Sequence, residues 1–443
     1  MYENISFPQE PKHPAGRPIL EPGKHPDLTP DSLWFTHDPA IYHDPVSGNY
    51  YVYGTGADAL RSKDLISWER MGKVIEKVPD EAFAHVGTQN IWAPDIVKVG
   101  DEYRLYCSNS SFGVQQSCIF LAVADNAEGP FVPRGIVVKT DKTCIVNAID
   151  ANIVEDNETG QQYMVYGSFW DGIRIIKLNK ETGLAGEEGL GTCIAHRPLW
   201  CDGAIEGPYI IYNPDTKYYY LFVSYGSLNS DYNIRVGRSK SVMGPYLDHN
   251  NRAMTDLDDF DNTVGYMIAC GYGFHEGQQY MGPGHNSVLR DFDNEWYLVH
   301  HIRPKEFKRG DISTMHVRKI LWSEDGWPLA SPEVYSGEKL QPLKKEDIVG
   351  KYERIRLTPT VPQGVQTSIT MELRPDFTAS LGISIHADWK MVDEYTIALT
   401  YANTTETYKV IPCWDYELWK PTLAITGKDD KGICLWGKKY QEL

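Results

Sequence analysis

The chain is short of positive charge. Its 43 Lys and Arg stand against 60 Asp and Glu over 443 residues, a formal net charge of −17. That balance excludes nonspecific attraction to a nucleic-acid backbone, and no Lys/Arg-rich tract with interleaved aromatics restores it. It equally gives no reason to expect a strongly anionic substrate. Long apolar runs are missing too, so no membrane span is expected, and the opening MYENISFPQEPKHPAGRPIL lacks the basic start and apolar middle of a secretory signal. The cysteines Cys107, Cys118, Cys144, Cys193, Cys201, Cys270, Cys413 and Cys434 form no CxxC pair. A clustered-thiolate zinc site therefore has no support, and the redox state of these thiols stays open. Long amphipathic helical stripes are almost absent. Short alternating apolar and polar runs take their place, which points to an all-β architecture.

Aromatics, by contrast, are plentiful: they make up 12% of the chain and include 28 Tyr and 12 Trp. Such rings fill cores, and they also make platforms on which sugar rings stack. With 42% hydrophobic and 23% charged residues the chain reads as a soluble folded protein. Its length suffices for two or three domains with a substantial core.

A phrase recurs: HDPAIYHDPVSGNYYVYG, WAPDIVKVGDEYRLYCS, AIDANIVEDNETGQQYMVYG, AIEGPYIIYNPDTKYYYLFVS and GHNSVLRDFDNEWYLVHH. Each copy has a polar or small opening residue, a hydrophobic residue three positions on, a turn rich in Gly, Asn and Asp, and an aromatic strand-like run. The opening positions are Asp38, Ala93, Asp150, Glu206 and His285, spaced by 55, 57, 56 and 79 residues. Five such copies predict a five-bladed β-propeller, with the inner strand of each blade approaching a central axis. Two stacked sheets are the alternative source of the same local signals. The last interval is longer because TDLDDFDNTVGYMIACGYGFHEGQQYMG reads as an excursion before the fifth blade.

The first 35 or so residues, rich in proline and turn formers, read as a covering or closing segment. Residues 1–340 are thus expected to hold this segment and the five-bladed propeller. Residues 345–443 carry a different β-rich pattern and are expected to form a small C-terminal β domain, a sandwich or barrel.

Stacking the repeats around an axis makes distant residues neighbours. A lone Asp-Pro at position 38 would read as a turn, and an isolated Asp150 or Glu206 as a surface acid. Three acids at equivalent strand openings, two of them in mostly apolar surroundings where an unpaired charge is costly, read instead as a reactive set. Glycosidic cleavage is the chemistry such a set serves most naturally. A protonated carboxyl supplies a proton to the leaving oxygen, and an ionised carboxylate takes one from attacking water. A third acid nearby favours the protonated form of the first by charge repulsion. Spacing alone does not separate inversion from retention.

The surroundings suit a sugar. Trp92 and Asp95 flank the second opening, and strand alternation returns the Asp95 side chain to the cleft face. Ser168, Phe169 and Trp170 follow the second strand of the third copy, although Trp92 and Phe169 serve equally well as packing residues. His285, between glycine and asparagine in GPGHNSV, can on its own be a metal ligand, a base or a buried polar residue, and a lone histidine is more often the hydrogen-bonded core residue.

The phrases THDPAIY, NIWAPDI, NAIDANI, YGSFWDGI, AIEGPYI and GPGHNSV, in this order across residues 30–330, resemble glycoside hydrolase family 43, in particular its two-domain endo-α-1,5-L-arabinanases. The resemblance implies five-bladed propeller enzymes that cleave with inversion. It makes Asp38 the general base, Glu206 the general acid and Asp150 the group that orients the acid and raises its pKa. His37, Trp92, Asp95, Asn152, Ser168 and Phe169 become substrate-cleft residues. His285 becomes the ligand of a central, largely water-coordinated Ca2+, although a lone imidazole is by itself poor evidence for so hard a cation. Ala151 departs from the family, where proline often follows the middle aspartate. The implied partner is linear arabinan or arabino-oligosaccharides, with no obligate protein partner, and a polymeric substrate favours a secreted or periplasmic setting. Two alternatives stay open: an exo-acting α-L-arabinofuranosidase or β-xylosidase on the same scaffold, and a noncatalytic carbohydrate-binding propeller.

Overall fold

A computed structural model describes residues 5–11, 36–274, 277–306, 313–360 and 364–440. Most of the expected covering segment, residues 12–35, lies outside them. Residues 5–11 run along the C-terminal domain: Ile5 and Phe7 pack against its core, and Ser6 exchanges backbone hydrogen bonds with the Gln341 amide at 2.8 and 2.7 Å.

The five repeats form five antiparallel sheets, and the fold is the predicted five-bladed propeller. Blade one comprises Ala40–His43, Tyr50–Tyr53, Asp58–Ser62 and Trp68–Lys73. Blade two comprises Trp92–Val99, Glu102–Asn109, Ser117–Ala124 and Val132–Thr140, and blade three Asn152–Glu155, Gln162–Tyr166, Ile173–Lys177 and Thr192–Ala195. Blade four has Ile205–Asn213, Tyr218–Tyr225, Asn233–Ser239 and Tyr266–Ala269. Blade five has Tyr280–Arg290, Trp296–Pro304, Thr314–Trp322 and Pro328–Ala330. Second strands such as YYYLFVSY are buried almost throughout, because blades cover both faces and aromatic and β-branched side chains fill the gaps.

Among the described residues no strand is exchanged between the first and last blades. The ring closes through side chains instead: Ser287 Oγ accepts from Ile41 N–H at 3.0 Å and donates to Pro39 C=O at 2.7 Å. Thr36 N–H adds a bond to Ser313 C=O at 3.0 Å.

The expected excursion before blade five contains the outer strand of blade four, Tyr266–Ala269, and an extra edge strand, Tyr272–Gly273, added to blade five. That edge strand pairs in parallel with Gln366–Thr367. The chain therefore starts its C-terminal domain at Gly350–Arg356, returns to lengthen the propeller sheet, and only then completes the second unit.

That second unit is a closed eight-stranded barrel, which resolves the sandwich-or-barrel expectation. Its Trp436 is fully buried in a core shared with Trp327 and Tyr272 of the propeller side. At the junction Lys438 Nζ meets Glu333 at 3.2 Å, Asp415 at 3.0 Å and also Glu417. The three acids are close enough to suggest a metal group, but the Lys438 ammonium already stands among them and pairs with each.

Candidate active site

The propeller repeat aligns the openings, and a shared backbone device aims them. Asp38, Asp150 and His285 all have left-handed backbones, with φ of 53°, 64° and 44°. Asp and His tolerate this region better than branched residues do. Each of the three amides is captured by a side chain on the second strand of the preceding blade. Asp150 N–H donates to Ser108 Oγ at 2.9 Å, His285 N–H to Ser224 Oγ at 2.7 Å, and Asp38 N–H to His301 Nδ1 at 3.3 Å. At the fourth opening the left-handed residue is Gly207, φ 56°, one position after Glu206. Its amide donates to Asp150 Oδ2 at 3.2 Å. A Cβ on Gly207 would stand 3.1 Å from the His285 Cα and Cγ, so glycine there also lets blade five approach.

Asp38 is enclosed by imidazoles. Its Oδ1 lies 3.1 Å from His285 Nδ1, 3.4 Å from His301 Nδ1 and 3.5 Å from His37 Nε2. Thr55 Oγ1 donates to its Oδ2 at 2.6 Å. Burial pushes this carboxyl up, but His285 and then His37 outweigh it and hold the group well below the usual carboxylate range. Asp38 is therefore ionised. His301 is fully buried and is pushed down to about 3, first by burial and then by His37, so it stays neutral.

Asp150 goes the other way. Burial, then the charges of Glu206 and Asp38, raise its carboxyl well above the ordinary range, with only the Gly207 amide opposing. The site thus holds one deep carboxylate as an anion and drives its neighbour toward the neutral acid. Glu206 is half-buried and takes a hydroxyl on each oxygen: Ser168 Oγ reaches Oε2 at 2.9 Å and Tyr232 OH donates to Oε1 at 2.8 Å.

The remaining residues named from sequence divide. His37 stacks on His301 with centroids 4.3 Å apart, and its Nδ1 bonds Ser313 Oγ at 2.9 Å. Because the Ser313 hydroxyl donates to Thr36 C=O, His37 Nδ1 carries the proton in that bond. Ser168 is spent on Glu206. Asp95 and Asn152 are buried against each other between blades: Asp95 Oδ2 accepts from Asn152 Nδ2 at 3.2 Å and from Ile153 N–H at 2.7 Å. Asn152 Oδ1 accepts from Ile210 N–H at 2.8 Å, latching blade three to blade four. A register shift between Trp92 and Pro94 breaks the strict alternation on which the expected facing of Asp95 rested. Trp92 and Phe169 keep half-buried rings.

Thr55, Ser224, Tyr232 and His301 were not read from sequence. Thr55 had a visible signal, since VYGTG and VYGSF end the second strands of blades one and three and place Thr55 and Ser168 alike. His37, Asp38 and His301 bring their ligand atoms within 4.8 Å of one another and form a group able to hold a metal ion, with His285 on the same Asp38 oxygen.

Comparison with known proteins is consistent with this geometry. Residues 32–328 match the model of glycosyl hydrolases family 43, and residues 332–437 match a C-terminal lipocalin-like domain associated with it. An extracellular endo-α-(1→5)-L-arabinanase of Thermotoga petrophila is 31% identical over 94% of this chain and 96% of the relative. The crystal structure of endo-1,5-α-L-arabinanase from Thermotoga petrophila in complex with TRIS superposes with a TM-score of 0.83 at 29% identity, covering 93% of this chain and 100% of that one. A Cellvibrio cellulosa α-L-arabinanase complexed with arabinohexaose gives a TM-score of 0.58 at 28% identity, over 67% of this chain and 95% of that one.

Proposed function

The chain belongs to glycosyl hydrolase family 43, and from that premise we propose that it cleaves α-1,5-L-arabinofuranosidic bonds within linear arabinan, with inversion. It is a glycoside hydrolase with a two-domain architecture. The observation that carries the finer reading is the opposite treatment of neighbouring acids, with Asp38 held ionised and Asp150 pushed toward its neutral form.

In this reading Asp38 is the base. It removes a proton from water as the water oxygen bonds to the anomeric carbon. Glu206 delivers its proton to the departing O5, and the bond from the anomeric carbon to O5 breaks as the new one forms. Asp150, through the Gly207 amide and its charge coupling to Glu206, orients the acid and keeps a proton available to it. Because attack and departure occur on opposite faces, the α-linked sugar is released first as the β anomer. Trp92 and Phe169 offer the apolar faces against which furanose C–H groups rest.

Calcium is compatible with the centre only as a largely hydrated ion. Such a cation takes six to eight oxygens, whereas this centre presents imidazoles around one carboxylate. Nε2 of His301 is buried without a partner among the described residues, a polar atom that ordered water would satisfy. His285 would hold such an ion, and its charge would favour the ionised form of Asp38.

The test is incubation of linear arabinan with the wild-type protein and with Glu206→Ala, followed by time-resolved product analysis and NMR of the new reducing end. Early short arabino-oligosaccharides with the β anomer first are expected, and Glu206→Ala should be inactive. Monosaccharide from the outset would replace this reading with the exo alternative. Binding without cleavage would favour the carbohydrate-binding one.

A further inference from the structure

Glu206 follows directly on a tight turn, residues 198–204, whose backbone is bonded to itself throughout. Leu199–Cys201 is a single 3-10 turn. Cys201 and Gly203 N–H both donate to Pro198 C=O, at 3.2 and 3.1 Å, and Asp202 N–H donates to Leu199 C=O at 3.0 Å. Arg197, only 4% exposed, clasps the turn from below: its Nη1 donates to Ala204 C=O at 2.8 Å, and its guanidinium lies 4.3 Å from the centre of the Tyr225 ring. The tip of this rigid turn is nevertheless apolar and open. Leu199 is 82% exposed and Trp200 52%. A single exposed apolar side chain is ordinary, but two large ones side by side on a braced turn at the edge of a cleft are displayed rather than left over.

Both ends of the turn are tied to the reactive residues. Its last residue runs into Ile205 and Glu206, and Ile205 C=O accepts from Phe169 N–H at 2.8 Å. At its start His196 Nε2–H donates to Trp170 C=O at 2.9 Å. Phe169 and Trp170 come straight after Ser168, whose hydroxyl lies on Glu206 Oε2, and both take left-handed backbones, φ 55° and 42°, which aromatic residues rarely adopt. Gly172 N–H holds Phe169 C=O at 2.8 Å, and Asp171 N–H holds Ile145 C=O at 3.0 Å. Residues 169–170 and 198–204 thus make one braced edge on the Glu206 side of the cleft.

We propose that Leu199 and Trp200 form a binding platform for the sugars on the leaving-group side of the scissile bond, so that this turn sets where along the chain the enzyme cuts. This rests on the reading of Glu206 as general acid. The side follows from the chemistry: water enters from the Asp38 face and the departing oxygen leaves toward the acid, so the chain attached to that oxygen is led past Glu206. The turn that precedes Glu206 is what it meets next. A furanose ring has an apolar C–H face, and an indole on a rigid turn offers it a flat apolar surface with little freedom to lose. Charge agrees with a neutral polymer, because the one charged residue of the turn is Asp202, which is exposed and would repel an anionic chain.

The test is the cutting pattern on α-1,5-arabinohexaose whose reducing-end oxygen carries oxygen-18, with early fragments sized by mass spectrometry. Wild type, Trp200→Ala, Leu199→Ala and Trp200→Phe are compared, and Glu206→Ala serves as the inactive reference. Losing the platform weakens the hold on sugars beyond the cut, so Trp200→Ala should move cleavage toward the reducing end and shorten the labelled fragments. Its kcat/KM on the hexaose should fall about three- to tenfold, the effect of uncovering one apolar ring face. Leu199→Ala should shift the pattern the same way more weakly. Trp200→Phe keeps a ring at the tip and should keep the wild-type pattern.

Labelled fragments of unchanged size in Trp200→Ala would overturn the platform, whether or not the rate falls, because a turn that only supports Glu206 slows every cut alike. Longer labelled fragments would overturn it too, since the ring would then serve the other side of the bond. Failure of the parent reading looks different. A wild type that leaves the hexaose as intact as Glu206→Ala does would strike the hydrolase reading itself, and a Glu206→Ala variant that still cuts would strike the acid and with it the side assigned to the turn.

Discussion

Ser168 Oγ lies 2.9 Å from Glu206 Oε2, across the boundary between blades three and four. Its counterpart Thr55 lies 2.6 Å from Asp38 Oδ2, within blade one. The same sequence position at the end of a second strand thus steadies both acids proposed to move protons, in one case across a blade boundary and in the other within a blade.

That pairing sets the first expectation. Ser168→Ala removes a hydrogen bond to a carboxylate, worth about 1.5–3 kcal/mol, so kcat on arabinan should fall about ten- to a hundredfold. Binding should change little, because the hydroxyl is spent on Glu206. Steady-state kinetics decide: an unchanged kcat would mean that Ser168 does no more than pack.

Charge state separates the two aspartates. Asp38→Asn removes a charge that His285, His37 and the Thr55 hydroxyl stabilise, so the loss should reach the range of about 10²–10⁴ typical of a general base. Asp150→Asn substitutes a neutral group for a carboxyl that its surroundings already drive toward neutrality. It should retain clearly more activity than Asp38→Asn. The reverse order, with both variants folded by circular dichroism, would remove the base role from Asp38.

The repeat was legible because its period is set by a physical unit. Each blade needs turns at near-constant intervals and an aromatic second strand buried on both faces, so the five openings could be aligned without coordinates. The closed barrel was legible as β structure but not as a closed sheet, since pairing between Gly350–Arg356 and Cys434–Lys439 joins strands at opposite ends of the domain. Tyr232 was not legible. It stands at the head of a third strand in a polar stretch and reaches Glu206 only through a gap at Gly284, a relation among three segments that no local pattern encodes. Asp95 shows the limit of alternation, since a single register shift next to Trp92 accompanies a carboxyl buried between blades.

Gly284 tests packing directly. A methyl group there would press on the Tyr232 ring, and overpacking of this kind costs about 1–3 kcal/mol. Gly284→Ala should lower the thermal midpoint and also cut activity, because the ring that yields carries the hydroxyl on Glu206. Pairing it with Tyr232→Leu should restore part of the stability and none of the activity. Strictly additive midpoints would show that the two residues do not compete for space.

For the metal, chelation and His285→Ala should each reduce turnover, and elemental analysis of the untreated protein should find a divalent ion that His285→Ala loses. His285 also contacts Asp38 at 3.1 Å, so activity alone is ambiguous, and metal content is the deciding readout. A protein purified without a divalent ion and indifferent to chelation would leave His285 as a partner of Asp38 only.

Asp95 provides a pH signature away from the chemistry. Burial raises its carboxyl to about 7, against the pull of the Ile153 and Ile96 amides and Asn152. In the unfolded chain it titrates near 3.8. Between these two values the folded protein binds more protons than the unfolded one, so this residue's contribution to stability is full below about pH 4 and is lost as pH rises toward 7. Asp95→Asn keeps an oxygen for Asn152 and Ile153 but has no proton to lose. Between about pH 4 and 7, the thermal midpoint of wild type relative to Asp95→Asn should therefore drift downward as pH increases. Parallel curves would show that the latch between blades two and three holds an ionised carboxylate throughout. The acid would then owe its stability to those three donors rather than to protonation.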